Sequence, residues 1–172
     1  MRWSRRVELP AEARSALPLQ RRERVLAAAR LTDGSWAAAT PNALVFGGRR
    51  LDWVSTAYAE WDDESATLRV DELRTGDPGE QADSRPTTHR IALEEPGFLP
   101  EVVRERVTAS IVVSRHTVVQ GRHGLRAVAR RMPGSDDLVW QVVLDRGLDP
   151  GDPKVRAASE TALRDLRREL GE

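Results

Sequence analysis

The chain has 172 residues, with 40% apolar and 31% charged side chains, enough for one globular domain with a soluble surface. Lys plus Arg and Asp plus Glu both number 27, so the net charge is zero and a generally polyanion-binding chain is excluded. There are no cysteines, which removes disulfides, thiolate metal sites and cysteine nucleophiles together.

Lys154 is the only lysine and Ile91 and Ile111 the only isoleucines, while alanine runs such as Ala27-Ala28-Ala29 recur. This usage is that of a GC-rich bacterial genome. Arginine abundance is then no sign of a phosphate site by itself.

In chain order, residues 1–19 hold Pro10, Pro18 and mixed charges without periodicity, and they are expected to form a flexible arm or a short helix around Ala11–Ala16. No apolar run of signal-peptide or membrane-span length follows, so a cytoplasmic protein is expected. A single domain is expected over residues 20–172. Thr32-Asp33-Gly34, Pro41-Asn42 and Gly47-Gly48 are turn signals, and the segments between them read as a meander of short strands. Leu51, Trp53, Ala57, Ala59 and Trp61 share one face at period two over a further strand. Asp62-Asp63-Glu64-Ser65 turns the chain into Thr67-Leu68-Arg69-Val70.

Residues 74–87 contain Ala82 as their one apolar side chain and read as a mobile loop. A short strand over Arg90–Leu93 follows. Pro100 then opens a helix with Leu99, Val102, Val103 and Val107 at helical spacing, ending near Thr108. The β-branched runs Ile111-Val112-Val113 and Thr117-Val118-Val119, the alternating Leu125–Arg131 and the apolar Leu138–Leu144 are strands. Gln141 is the lone polar residue of the last. Asp152 as N-cap, Pro153 at the first helical position and the stripe Val155, Ala158, Ala162, Leu163, Leu166 and Leu170 mark an amphipathic C-terminal helix, with Gly171 past its end.

The run Glu23–Leu26, the hairpin Ala39-Thr40-Pro41-Asn42 into Ala43–Phe46, then Leu51-Asp52-Trp53-Val54 and Thr67–Val70 resembles the bacterial pleckstrin-homology-like domains of GRAM/YokE type. The chain also looks like proteins of actinobacteria. The resemblance covers roughly residues 21–73. It implies an α+β fold: a mostly antiparallel bent sheet or partly open β-barrel, capped by the C-terminal helix, with the helix near residues 99–108 as an insertion or as the boundary between two halves. It implies a non-enzymatic binding or scaffolding module with a protein partner, and it carries no catalytic residue or cofactor to this chain.

The residues themselves offer few sites. His89, His116 and His123 are the only histidines, and none stands at metal-ligand spacing. Glu60, Asp62, Asp63 and Glu64 form an acidic cluster that reads as a solvated turn, without the alternation of a calcium loop. Charge is unevenly placed. Residues 52–101 carry thirteen acids against four Arg, and residues 102–134 seven Arg against one Glu. Arg115, His116, Arg122, His123, Arg126, Arg130 and Arg131 are therefore the candidate anion- or partner-binding residues. Arg115, Arg126 and Arg130 share a face if Arg115 pairs opposite Arg126–Arg130. Two outcomes follow: neutralisation inside the fold by Glu60–Glu64 or Asp71-Glu72, or use as a surface for anionic lipid or RNA. An enzyme without a recognisable motif is the third reading.

Overall fold

A computed structural model describes residues 9–73 and 86–171. Among the described residues, the first 110 positions hold two α-helices, α1 (Ala11–Ala16) and α2 (Leu99–Ser110). They also hold seven strands: β1 (Ala27–Leu31), β2 (Trp36–Ala39), β3 (Ala43–Phe46), β4 (Arg49–Asp52), β5 (Thr56–Asp62), β6 (Thr67–Glu72) and β7 (Thr87–Glu95). Three strands follow, β8 (Ile111–Gln120), β9 (His123–Arg131) and β10 (Leu138–Leu144), and then α3 (Pro153–Glu169). The fold is α+β, with a bent antiparallel sheet ordered β4-β3-β2-β1-β7-β6-β5 and a separate sheet ordered β10-β9-β8.

Local chemistry sets the large sheet. Gly47 and Gly48 have φ of +51° and +73°, the left-handed pair a two-residue hairpin turn requires between β3 and β4. Ala27-Ala28-Ala29 forms a strand despite alanine's helical preference because both its faces are covered. Ala27 and Ala29 join the core under α2, while Ala28 packs toward Leu17 and Leu19 after α1. Residues 9–19 are thus anchored rather than loose: Ala13 and Leu17 are buried, and Leu9, Leu17 and Leu19 pack with Val45 and Trp36. Of the two expectations for this segment, the short helix around Ala11–Ala16 is the one that forms, as α1. Residues 1–8 and 74–85 lie outside the described residues, so most of the expected loop does too, and Thr87 already opens β7.

β4 and β5 are consecutive in the chain but stand at opposite ends of the sheet. A 3-10 turn, Trp53–Ser55, interrupts the single strand expected there. The four steps from Asp52 to Thr56 reach at most roughly 14 Å. The sheet therefore curls until its edges approach, yet no ladder joins β4 to β5 and it stays open. Trp53 fills the corner, 1% exposed, with its indole N–H donating to the Thr40 carbonyl at 3.1 Å.

The helix that covers the large sheet is α2, not the C-terminal one. Leu99, Val102, Val103 and Val107 enter the same core as Leu44, Trp53, Leu68 and Leu93. Helix α3 covers the small sheet, where Leu166, Ala162 and Leu163 pack on Ala127, Ala129 and Trp140. Asp152 caps α3 by accepting from the Lys154 N–H at 2.8 Å, and Arg167 lies over the Trp140 ring. Among the described residues no helix is long and apolar enough to cross a membrane.

Candidate functional site

The hairpin β8–β9 scatters the predicted basic residues. Its register sets Arg115 opposite Ala127 and His116 opposite Arg126. Arg115 therefore faces α3, where its guanidinium pairs with Glu169. Arg126 points from the opposite face, exposed, with the Ser114 hydroxyl at 3.5 Å. Bulges at Ile111/Val113 and Val118/Gln120 displace the register that period two suggests. The expected shared face of Arg115, Arg126 and Arg130 does not form.

Arg130 lies on the side of Arg126 but is 1% exposed. Its Nε donates to Gln141 Oε1 at 3.1 Å, Nη1 to the Val107 carbonyl at 3.2 Å and Ser110 Oγ at 2.7 Å, and Nη2 to the Ala57 carbonyl at 3.1 Å. No carboxylate pairs with it among the described residues. Burial lowers its pKa to about 10, so it stays charged at neutral pH. Its acceptors are neutral, and the Val107 carbonyl belongs to the last turn of α2, the negative end of that helix. Gln141 completes the joint by donating to the Val54 carbonyl. Arg130 is a clamp between the two sheets. The neutralisers are accordingly not Glu60–Glu64 or Asp71-Glu72.

Arg122 is exposed in the hairpin turn, and Arg131 lines a shallow hollow of about 240 Å³ with Arg106 and Met132. His116 Nε2 lies 3.2 Å from Asp145 Oδ2, which also accepts the Gly124 N–H at 2.7 Å. That N–H bond, opposed by partial burial and aided by His116, holds the Asp145 carboxyl below the usual range. His123 approaches Gly147 in the loop after β10. The cluster ties the end of β10 to the hairpin, and no hydroxyl completes a nucleophile–base pair with His116 among the described residues. His89 is bonded to Glu72 at 2.7 Å, with its ring edge on Phe46.

The acidic cluster is spent partly on its own turn. Asp62 accepts from the Glu64 and Ser65 N–H groups and the Ser65 hydroxyl, and Asp63 accepts the Trp61 indole N–H at 2.9 Å. Among the described residues no group of His, Asp and Glu is arranged to hold a metal ion.

A groove of about 530 Å³ lies where sequence reasoning placed no site. It runs between β5 and the first turns of α2, lined by Tyr58, Ala59, Glu60, Trp61, Leu68, Pro100, Glu101 and Arg104. β5 ends the sheet order, so its outer edge meets no strand among the described residues. Ala59 and Trp61 pack inward on the core, while Tyr58 and Glu60 alternate outward. Arg69, directly across from Glu60, turns instead to Asp71 at 2.6 Å and lies over the Tyr58 ring. Thr88 donates to Asp71 as well, so that acid is saturated and Glu60 is left without an ion pair among the described residues. The sequence signal for this groove was the exposed half of the β5 alternation, which reads equally as an ordinary solvated face. No family model, curated protein or solved structure matches the chain.

Proposed function

We propose that the chain is a non-enzymatic, cytoplasmic binding module of pleckstrin-homology-like type, and that it docks a protein segment in the groove between β5 and α2. One observation carries this reading. The groove is bordered by a strand whose outer edge has no ladder partner among the described residues, the Ala57 carbonyl alone being taken by Arg130, and such an edge accepts an added strand. The bent seven-stranded sheet with a helix laid across it supports the pleckstrin-homology-like part. Reading the chain as a binder of anionic lipid or RNA loses support, because Arg115 and Arg130 are already engaged within the fold and Arg122, Arg126 and Arg131 do not converge.

A photo-crosslinking amino acid in place of Tyr58, which is 48% exposed, tests the reading in cells of the native organism. The same probe in place of Glu160, exposed on α3, is the control. Protein adducts from position 58 alone are expected. Equal adducts from both positions, or adducts only with lipid or RNA from a probe at Arg126, contradict it.

A further inference from the structure

The occupant of the groove can be specified, and this step rests on the binding-module reading above. We infer that the groove takes an extended peptide in which basic and apolar residues alternate, added as a strand along the outer edge of β5.

Charge selects the basic residues. Glu60 and Glu101 line the groove and have no ion pair among the described residues, against Arg104 as the one basic lining group. At the end of β5 the exposed turn adds Asp62, Asp63 and Glu64. The Ser65 hydroxyl holds the Asp62 carboxyl below its usual range, and Asp63 accepts the Trp61 indole N–H, with both side chains on the surface. Arg69, paired with Asp71, and Arg90 follow on the next two strands of the outer face, so the acidic excess is confined to the β5 rim, and its field falls off within about 10 Å at ordinary salt, the reach of a strand laid against it.

Pleating selects the alternation. Side chains of an added strand point by turns to the two faces of the sheet, as those of β5 do. On the outer face they meet Glu60 and Asp62, which suit arginine or lysine, beside Tyr58, whose ring Arg69 already covers. On the inner face they meet Trp61, Ala59, Leu68 and Pro100, an apolar floor that suits valine or leucine. Glu101 and Arg104 stand on the α2 wall, where they rim that floor. A peptide with the same composition but its basic residues in one block offers the charge without the register.

The test uses three fluorescein-labelled octapeptides on the full chain. The first reads Thr-Arg-Val-Arg-Val-Arg-Val-Thr, the second has Glu for each Arg, and the third gathers the three Arg at one end. Fluorescence anisotropy at low salt should show binding of the first, about tenfold weaker binding of the third and none of the second. The double variant Glu60→Lys with Glu101→Lys should weaken the first by at least about tenfold. Both side chains are exposed, so that variant should keep the melting temperature of the parent. Arg126→Glu should leave binding unchanged. No binding of the first peptide, equal binding of the first and third, or indifference to the double variant overturns the inference. Crosslinking from position 58 in the face of that result leaves the module reading standing with a different occupant, whereas loss of both removes both.

Discussion

Arg130 and Val107 meet across the boundary between the two sheets, the guanidinium of β9 donating to a last-turn carbonyl of α2 at 3.2 Å. The same side chain reaches Ala57 on β5 and Gln141 on β10, so one residue ties together three elements of different origin. A buried charge with no carboxylate is tolerable only while every acceptor stays in place. Arg130→Ala should therefore cost about 3 kcal/mol, because it orphans buried carbonyls as well as opening a void. Arg130→Lys should recover only part, since an ammonium cannot fork across β5, α2 and β10 at once. Urea denaturation of the two variants checks this, and an unchanged midpoint for either would contradict the clamp.

Glu23 offers a pH test. Burial alone would raise its carboxyl, but two bonds from Arg50, at 2.9 and 3.0 Å, the Gln20 N–H and Thr40 together hold it at about 2, below an ordinary value of 4.5. A folded-state pKa lower than the unfolded one means the contribution is fully present above about 4.5 and lost as pH falls toward 2. The size is about 3 kcal/mol. Glu23→Gln should lower stability at pH 7 and flatten the decline between pH 5 and 2. A parallel decline in parent and variant would rule the pair out as its source.

Gly124 is held to glycine by contact rather than by backbone angle. A Cβ there would lie 2.3 Å from the Thr117 carbonyl and 2.8 Å from the His116 ring. The carbonyl is backbone in the paired strand and cannot move aside, so Gly124→Ala should destabilise by about 2 kcal/mol or more and disturb the His116–Asp145 contact. Thermal melts combined with the His116 proton resonances would show both effects, and a normal melt with unshifted resonances would show neither.

Helix α3 depends on Leu166, which is 2% exposed against Ala127 and Ala129. Leu166→Asp places a charge where no partner waits and should cost about 3 kcal/mol or more. Leu170→Asp, at a position 37% exposed, should cost far less. Similar melting temperatures for the two would refute the packing.

Much of this architecture was legible because its determinants are local. Asp152-Pro153 and the leucine stripe of α3, the Gly47-Gly48 turn and the helical spacing from Leu99 to Val107 all act within a few residues of themselves. What could not be read depends on partners far away in sequence. Which helix covers which sheet is settled by Trp53 and Val103 sharing one core across fifty positions. The face of Arg115 is settled by the bulge at Val118/Gln120, which no period displays. Arg130 carries no local sign of burial, flanked as it is by Arg131. Gln141 was the available clue, a single amide in a strand otherwise apolar on both sides, and such a residue implies a buried polar partner. The groove went unseen because Tyr58 and Glu60 look like any solvated half of a strand until the sheet order leaves β5 at its edge.

The central claim is that β5 is the docking edge, and backbone hydrogen exchange with and without the alternating basic peptide tests it most directly. Slowed exchange should be confined to Thr56–Asp62 and the first turns of α2, with α3 unchanged. Protection confined to residues 111–131, with β5 exchanging as before, would contradict the account.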